Sequence, residues 1–216
     1  MTISDAVRAV EQDLREIFGP RLQSLVAYAT TSAMPGAPTL AVVDDLTADD
    51  LRRCAARTGQ WPDAGAATPL ILEASEFGRS LDAFPFEFGA ILADHLLVAG
   101  LNPFEGLGVD PVDLRRACEV QARSHLLHLR EGFMETGRRG DLVADLIVRS
   151  SAPLSALLTH VRHLAGAVAE ADDPSLARVT ALSVRPSLPS DEARDLFPAY
   201  LEAVERLTNR IDRWHA

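Results

Sequence analysis

Two carboxylates stand in an unusually apolar part of the sequence. The stretch RSLDAFPFEFGAIL covers residues 79–92 and places Asp82 and Glu87 among three phenylalanines. If the phenylalanines lie on a strand, they share one face and Glu87 takes the other. We predict a structural role, with Glu87 paired with Arg79 or capping an amide. The alternative is that Arg79, Asp82 and Glu87 are ligand-binding residues that form the polar wall of a pocket.

Arginines and histidines recur further along the chain. Arg123 and His128 have the Arg-x4-His spacing, which resembles the motif of HEPN ribonucleases, where histidine acts in acid–base chemistry and arginine stabilises phosphate. Five residues on a helix separate two side chains by about 140°, and His125 lies on an apolar stripe, so we predict a packed His125. Arg116, Arg123 and Arg130 recur every seven residues. They predict a solvated face, with a phosphate-binding ridge as the alternative.

The cysteines and two further histidines predict no metal site. Cys54 and Cys118 have no zinc-ligand spacing, so we expect two reduced and partly buried thiols. His160 and His163 are placed to meet on one helical face, but no cysteine is near them and Arg162 lies between them. We therefore predict no disulfide, no metal ligand and no cofactor.

Composition favours a soluble globular protein. The chain has 216 residues, 47% of them hydrophobic and 24% charged, and its formal net charge is -10. This acidic balance argues against sequence-independent binding to nucleic acid, which depends on many arginine and lysine contacts to phosphate. The N-terminal sequence lacks the basic and apolar regions of a signal peptide, and charges interrupt the most apolar later stretch. We expect a cytoplasmic protein without a membrane span.

The first half of the chain alternates signals for helices and strands. Ser4 is placed to cap a first helix, and Thr47, with Asp50 three residues later, to cap a second. A loop of small residues separates the first two strands, and a helix follows the third at once. Apolar and β-branched runs predict these three strands over residues 22–29, 39–43 and 69–73.

The second half is almost wholly helical. Apolar residues at helical spacing predict one long helix that begins after residue 110 and ends at a pair of glycines. Separate helices are predicted over residues 141–150 and from Ser151 onward. Ser190 is placed to cap the last helical stretch, which Pro198 is expected to kink or break. We divide the chain into two domains, residues 1–108 and 109–216.

This order of elements resembles the nucleotidyltransferase fold of the polymerase-β type, in particular small bacterial nucleotidyltransferase-like proteins. The resemblance is clearest over residues 68–129, where DAFPFE at residues 82–87 is similar to a D-x-F-P-x-E stretch of that group. It implies an α+β fold with a small mixed sheet flanked by helices, followed by a helical C-terminal domain. It also implies nucleotide transfer as the activity of the active members.

The motif that active members need is missing from this sequence. They carry a Gly-Ser loop and then an Asp-x-Asp pair, whose carboxylates hold two divalent metal ions. The loop here reads ATTSAMPG, with Thr30-Thr31 or Thr31-Ser32 at the Gly-Ser position and only Gly36 retained. The Asp-x-Asp position reads Ala-Pro-Thr, residues 37–39. The resemblance therefore gives Thr31, Ser32 and Gly36 as candidate ligand-binding residues, and no catalytic residue or metal ligand.

Three hypotheses about function follow from this reading. The first is a catalytically inactive nucleotidyltransferase-like protein with a binding or regulatory role. The second is an active enzyme with displaced carboxylates, for which Asp44 and Asp45 are candidates and which would need Mg²⁺; we interpret both residues as part of a turn. The third is a HEPN-like ribonuclease. We expect a protein partner or a second copy of the chain, leave nucleotide binding open, and expect neither a membrane nor nucleic acid as a partner.

Overall fold

The computed structural model describes residues 3–29, 36, 38–165 and 173–214. The chain divides into two compact units, Met1–Val109 and Asp110–Ala216. The first contains a small sheet with helices on both faces, and the described part of the second contains only helices. The predicted fold class, α+β with a small mixed sheet followed by a helical part, is confirmed.

The first unit contains four strands and five α-helices in the part of the chain that the structure describes. The strand order is β3-β2-β1-β4; β2 and β3 are parallel, and β1 is antiparallel to both of its neighbours. The elements in chain order are α1 (Asp5–Phe18), β1 (Leu22–Tyr28), β2 (Thr39–Val43), α2 (Ala48–Ala55), α3 (Gln60–Asp63), β3 (Leu70–Glu73), α4 (Ala74–Ala83), α5 (Pro85–Ala93) and β4 (His95–Gly100).

The sheet lies between two apolar clusters. Successive side chains of a strand point to opposite faces, so neighbouring residues of β1 and β2 enter different clusters. Burying both faces explains why β2 is apolar without alternation, since its sequence is TLAVV. One cluster joins the sheet to α1, α2 and α3 through Leu14, Leu25, Ala41, Cys54 and Trp61. The other joins it to α4 and α5 through Val26, Leu40, Phe77, Leu81 and Phe88.

Two predicted helix caps in this unit are confirmed. The Ser4 hydroxyl accepts a hydrogen bond from the Val7 amide at 3.3 Å, which satisfies a donor that has no partner within α1. Thr47 and Asp50 form a reciprocal capping box at the start of α2. The side chain of each residue accepts from the backbone amide of the other, both at 3.1 Å.

The strand interpretation of the phenylalanine run is wrong. Residues 85–93 form the helix α5, with Pro85 in the first turn, where a missing N–H leaves no helical hydrogen bond unmade. Phe88 is buried against the sheet, whereas Phe84 is 57% exposed. The strand β4 that follows α5 was not predicted, because its sequence HLLVAG continues the apolar run without a turn signal.

The second unit is a group of four helices in the described residues. The helices α6 and α7 contact each other and α9, and α8 contacts α7 and α9. The long apolar stripe predicted for α6 is confirmed at its centre, where Cys118 and Ala122 are fully buried. The elements are α6 (Pro111–Glu135), α7 (Gly140–Ala165), α8 (Pro174–Ala181) and α9 (Ser190–Arg213).

Prolines interrupt this unit less than predicted. The two helices expected over residues 141–150 and from Ser151 onward are one continuous helix, α7, with Pro153 inside it. The last helix also continues through Pro198, and its N-cap is Pro189 rather than Ser190. Packing of α7 and α9 against their neighbours on the buried side outweighs the single backbone hydrogen bond that each proline removes.

One helix of the described chain is long and apolar enough, by length and composition, to cross a membrane. It covers Gly140–Leu164 within α7 and has a mean hydropathy of 1.4 over its most apolar window, of which 39% is buried within the protein. This helix contacts α6, α8 and α9.

Candidate functional site

The sheet has two distinct ends, which differ in their polar residues. The antiparallel strands β1 and β2 are joined at the end where Ala27 pairs with Thr39 and Tyr28 pairs with His95. We call this the loop end. At the opposite end β2 finishes at Val43, beside Glu73 of the parallel strand β3. Any residue that replaced the Asp-x-Asp pair of the resembled fold would have to act from the loop end.

Of the three candidate loop residues, the structure describes only Gly36. Thr31 and Ser32 lie outside the described residues, so their ligand binding stays a prediction. Gly36 is described and has a positive φ of 83°. A Cβ atom at this position would lie 3.0 Å from the amide nitrogen of Ala67, so a side chain would press on the backbone there. Gly36 therefore has a structural reason to be glycine, independent of any ligand.

The described part of the Asp-x-Asp position carries no carboxylate. Ala37 lies outside the described residues, and the Pro38 carbonyl accepts a hydrogen bond from the Tyr28 amide at 3.1 Å. Thr39 is fully buried, and its hydroxyl has no hydrogen-bond partner within the described chain. Asp94 precedes β4 at the loop end, where its carbonyl accepts from the Ala29 amide at 3.1 Å. It is a single carboxylate on the far side of β1 from β2.

Asp44 and Asp45, the candidate replacements, lie at the opposite end of the sheet, as does Glu73. Asp44 accepts a hydrogen bond from the Gln23 side chain, and Asp45 is 3.4 Å from the Arg21 guanidinium. Glu73 accepts a hydrogen bond from the Leu46 amide at 2.9 Å. All three contacts stabilise the turn between β2 and α2, which agrees with the turn predicted for Asp44 and Asp45.

The residues of the phenylalanine stretch lie on the outer side of two helices. Phe77 and Leu81 form the buried side of α4, and Arg79 is two residues, or roughly 200°, from each of them. Arg79, Asp82 and Glu87 are all exposed. In the described part of the chain, Glu87 makes neither the predicted ion pair with Arg79 nor a bond to a backbone amide. Their role in ligand binding stays a prediction.

A cavity of about 330 Å³ opens within the second unit, between α6 and α7. We call it the α6–α7 pocket. Its walls are apolar side chains from both helices, and polar side chains stand among them. The lining residues are Gln121, Ser124, His125, His128 and Leu129 of α6, with Leu146, Arg149, Ser150, Pro153 and Leu157 of α7.

A chain of hydrogen bonds lies beneath this pocket. The buried Tyr200 hydroxyl of α9 is 2.6 Å from Nε2 of His125 and 2.9 Å from Oγ of Ser150. Ser150 in turn donates its proton to the Ile147 carbonyl at 2.8 Å. Burial lowers the pKa of His125 to about 4, with the nearby charge of His128 a smaller cause. The imidazole is therefore neutral at physiological pH, and the predicted packing of His125 is confirmed.

The Arg-x4-His residues of α6 do not form one site. Arg123 donates to Asp212 at 2.6 Å and to Glu119 at 3.2 Å, and these carboxylates raise its pKa. His128 is exposed and lies 3.3 Å from Glu131. Two members of the predicted arginine face are thus solvated and paired with acidic residues, because Arg130 also binds a carboxylate, that of Glu205, at 2.7 Å.

Both cysteines are buried and unpaired. Burial raises the pKa of Cys118 to about 12 and raises that of Cys54, so neither is a thiolate at neutral pH. His160 is buried, which lowers its pKa, while His163 is exposed. Within the described residues, three or more histidine, cysteine or acidic side chains nowhere group as a metal site would require.

Comparison with known proteins shows the fold. No family model and no curated protein matches the chain. Among solved structures, it is similar to spectinomycin adenyltransferase AAD(9) from Enterococcus faecialis, determined with ATP and spectinomycin. The TM-score is 0.54 at 11% identity, over 97% of this chain and 99% of that one. The chain has a nucleotidyltransferase-like fold. The resemblance of the sequence to that fold is therefore confirmed, and identity this low carries no activity across.

Proposed function

We propose that this chain is a catalytically inactive nucleotidyltransferase-like protein with a binding or regulatory role. One observation carries the proposal. The described residues at the loop end offer a buried threonine at the Asp-x-Asp position, while Asp44, Asp45 and Glu73 stabilise a turn at the opposite end. The chain thus has a nucleotidyltransferase-like fold, but these carboxylates lie at the end of the sheet opposite the Asp-x-Asp position.

The position of the carboxylates matters because nucleotidyl transfer depends on metal ions that they hold. Two divalent ions about 4 Å apart must contact both the attacking and the leaving oxygen, so their carboxylate ligands have to lie together beside the triphosphate. Asp94 supplies one carboxylate near the loop, on the other side of β1 from β2. The described residues at the loop end therefore do not fit a pair of Mg²⁺ ions.

The two alternatives have less support. An active enzyme with Mg²⁺ held by Asp44 and Asp45 would have to use carboxylates that already accept hydrogen bonds from Gln23 and Arg21. A HEPN-like ribonuclease would need a free arginine beside His128, whereas Arg123 is bound by two carboxylates. A protein partner or a second copy of the chain remains our prediction for the binding role, as does a cytoplasmic location.

A turnover assay tests the proposal. Pyrophosphate release from each of the four nucleoside triphosphates is measured with Mg²⁺ and with Mn²⁺, in the presence and absence of spectinomycin as an acceptor. We expect no release above that of buffer. The same mixtures are followed by thermal shift, since a triphosphate that binds without reacting still raises the melting temperature.

A matched pair of variants identifies the cause of any activity. Asp44→Asn with Asp45→Asn removes both displaced carboxylates, and Asp49→Asn removes a nearby surface carboxylate that is 76% exposed. Metal-dependent release by the wild-type chain would overturn the proposal. Its loss in the double variant, but not in Asp49→Asn, would then assign the metal to Asp44 and Asp45.

A further inference from the structure

The α6–α7 pocket combines features of a small-molecule site. It is concave, mostly apolar and at the small end of the range for ligand pockets, and several polar groups converge on it. We propose that it binds a small carboxylic acid whose aromatic or branched body carries a hydroxyl or amino group. This inference rests on the proposed binding role, and it requires no chemistry at the sheet.

The hydrogen-bond chain beneath the pocket sets which of its groups accept protons. Ser150 gives its single proton to the Ile147 carbonyl, so it must accept the proton of the Tyr200 hydroxyl. The Tyr200 oxygen then accepts from Nε2–H of His125. Because His125 is neutral, its Nδ1 carries no proton. Nδ1 has no partner in the described chain, so it is an acceptor that a ligand hydroxyl or amino group would satisfy.

Arg149 supplies the positive charge for a carboxylate. Among the described residues its guanidinium has no acidic partner, and its one hydrogen bond is a long contact of 3.4 Å from Nε to the Asp145 carbonyl. Arg123 and Arg130, by contrast, are already paired with carboxylates. An arginine fork binds a carboxylate through two parallel hydrogen bonds. A single arginine beside a neutral histidine matches one negative charge, which favours a carboxylate over a doubly charged phosphate.

The remaining walls fit an apolar body. Leu129, Leu146 and Leu157 line the cavity together with Pro153. Pro153 has no N–H, so it leaves the carbonyl of Arg149, one turn earlier on the helix, without its usual partner. Arg149 and Pro153 both line the pocket, so this backbone acceptor and His125 Nδ1 suit a ligand that carries a donor as well as a carboxylate.

Three related probes test each part of the proposed ligand on the full chain. They are 4-hydroxyphenylacetate, phenylacetate, which lacks the hydroxyl, and 4-hydroxybenzyl alcohol, which lacks the carboxylate. Binding is measured by calorimetry and by the ¹⁵N signals of the histidine rings. We expect the first probe to bind most tightly and to shift the Nδ1 signal of His125. Each of the others should bind about tenfold more weakly.

Variants separate the pocket from the rest of the surface. Arg149→Gln should weaken both carboxylate probes about tenfold or more and leave 4-hydroxybenzyl alcohol unchanged. Arg116→Gln, an exposed arginine on α6 outside the pocket lining, should change none of them. Ser124→Phe, at a half-buried lining position, should block all three.

Three results would overturn the inference. One is that none of the probes binds at millimolar concentration. Another is that binding survives both Arg149→Gln and Ser124→Phe. The third is that a fourth probe, 4-hydroxyphenyl phosphate, binds more tightly than 4-hydroxyphenylacetate. Because none of these probes is a triphosphate, such a failure would leave the turnover result unaffected, and metal-dependent turnover would not by itself remove the pocket.

Discussion

In the first unit a buried ion pair and a capping box fix the turn between β2 and α2, whereas in the second unit a buried chain of hydrogen bonds lies beneath a pocket and leaves one histidine nitrogen without a partner in the described chain. Asp50 is 3% exposed and receives two hydrogen bonds from Arg21, at 2.7 and 2.8 Å, and one from the Thr47 hydroxyl. These donors hold its pKa well below the usual range. His125, by contrast, uses one ring nitrogen and leaves the other free within the described chain.

The difference separates structural polar groups from candidate binding groups. A buried group whose hydrogen-bonding capacity is filled stabilises the fold and has nothing to offer a ligand. A half-buried group with an unused donor or acceptor loses solvation without full compensation, and a ligand can supply the missing bond. On this criterion the turn between β2 and α2 is structural, and the α6–α7 pocket is the better candidate for binding.

The largest effect should come from breaking the Asp50 contacts. Asp50→Ala removes half of the capping box and the partner of Arg21, and we expect it to lower the free energy of unfolding by about 3 to 4 kcal/mol. Urea denaturation measures this loss. Binding of 4-hydroxyphenylacetate should not change at temperatures where the variant is folded.

Asp49→Ala is the matched control, because Asp49 is adjacent to Asp50 on α2. Its contact with Arg52 is long, at 3.7 Å, and both side chains are 76% exposed. It should leave the urea midpoint nearly unchanged. If Asp50→Ala cost no more than Asp49→Ala, the contacts at the start of α2 would not be structural, and the comparison between the two units would fail.

Lowering the pH should reduce the stability of the second unit, because its buried histidines resist protonation. The pKa of His125 is lowered in the fold from 6.5 to about 4, so the unfolded chain binds a proton more readily. The contribution to stability is complete above pH 6.5 and is lost as the pH falls toward 4, by up to about 3 kcal/mol. His160, whose pKa is also lowered by burial, adds to the loss in the same direction.

Comparing the wild type with His125→Gln by urea denaturation across this pH range isolates the first contribution. Asp50, Asp141 and Asp173 have lowered pKa values, so most of their losses fall below pH 4, and these losses are common to both chains. The variant should show a visibly smaller loss between pH 6.5 and pH 4. Equal losses in the two chains would mean that His125 is not held neutral beneath the pocket.

Local signals predicted most of the fold, whereas the pocket could not be predicted from them. The caps at Ser4 and Thr47 were recognised because a cap requires particular residue types within four positions. Most of the helices and strands were predicted from the spacing of apolar residues, although β4 was missed and α7 was divided in two. A new helix was wrongly predicted to start at Ser151, because a proline, here Pro153, is tolerated in a first turn, and only the packing of α7 reveals that the helix continues.

The pocket depends on contacts that no short pattern contains. Tyr200 is 75 residues from His125 and 50 residues from Ser150, and the sequence gives no indication that their side chains meet. His125 was correctly predicted to be packed, but its partner is fixed by how α6, α7 and α9 assemble. The prediction that the Asp-x-Asp pair is missing, in contrast, needs only a short stretch of sequence, because the two carboxylates of that motif lie two positions apart on one strand.

The smallest predicted effect concerns the proline beside the pocket. Pro153→Ala gives α7 an N–H for the Arg149 carbonyl and a better helix former. Part of the gain is offset because alanine makes the unfolded chain more flexible, so we expect α7 to become more stable by about 1 kcal/mol. The same change should weaken binding of 4-hydroxyphenylacetate, because the freed backbone acceptor is now occupied.

Pro198→Ala is the matched control, since Pro198 is also exposed and inside a continuous helix, α9, but does not line the pocket. Urea denaturation should show a similar gain in both variants, while calorimetry shows weaker binding only in Pro153→Ala. Proline at residue 153 would then lower stability and favour binding, the exchange typical of a functional site. Equal binding in the two variants would show that Pro153 shapes the helix without serving the pocket.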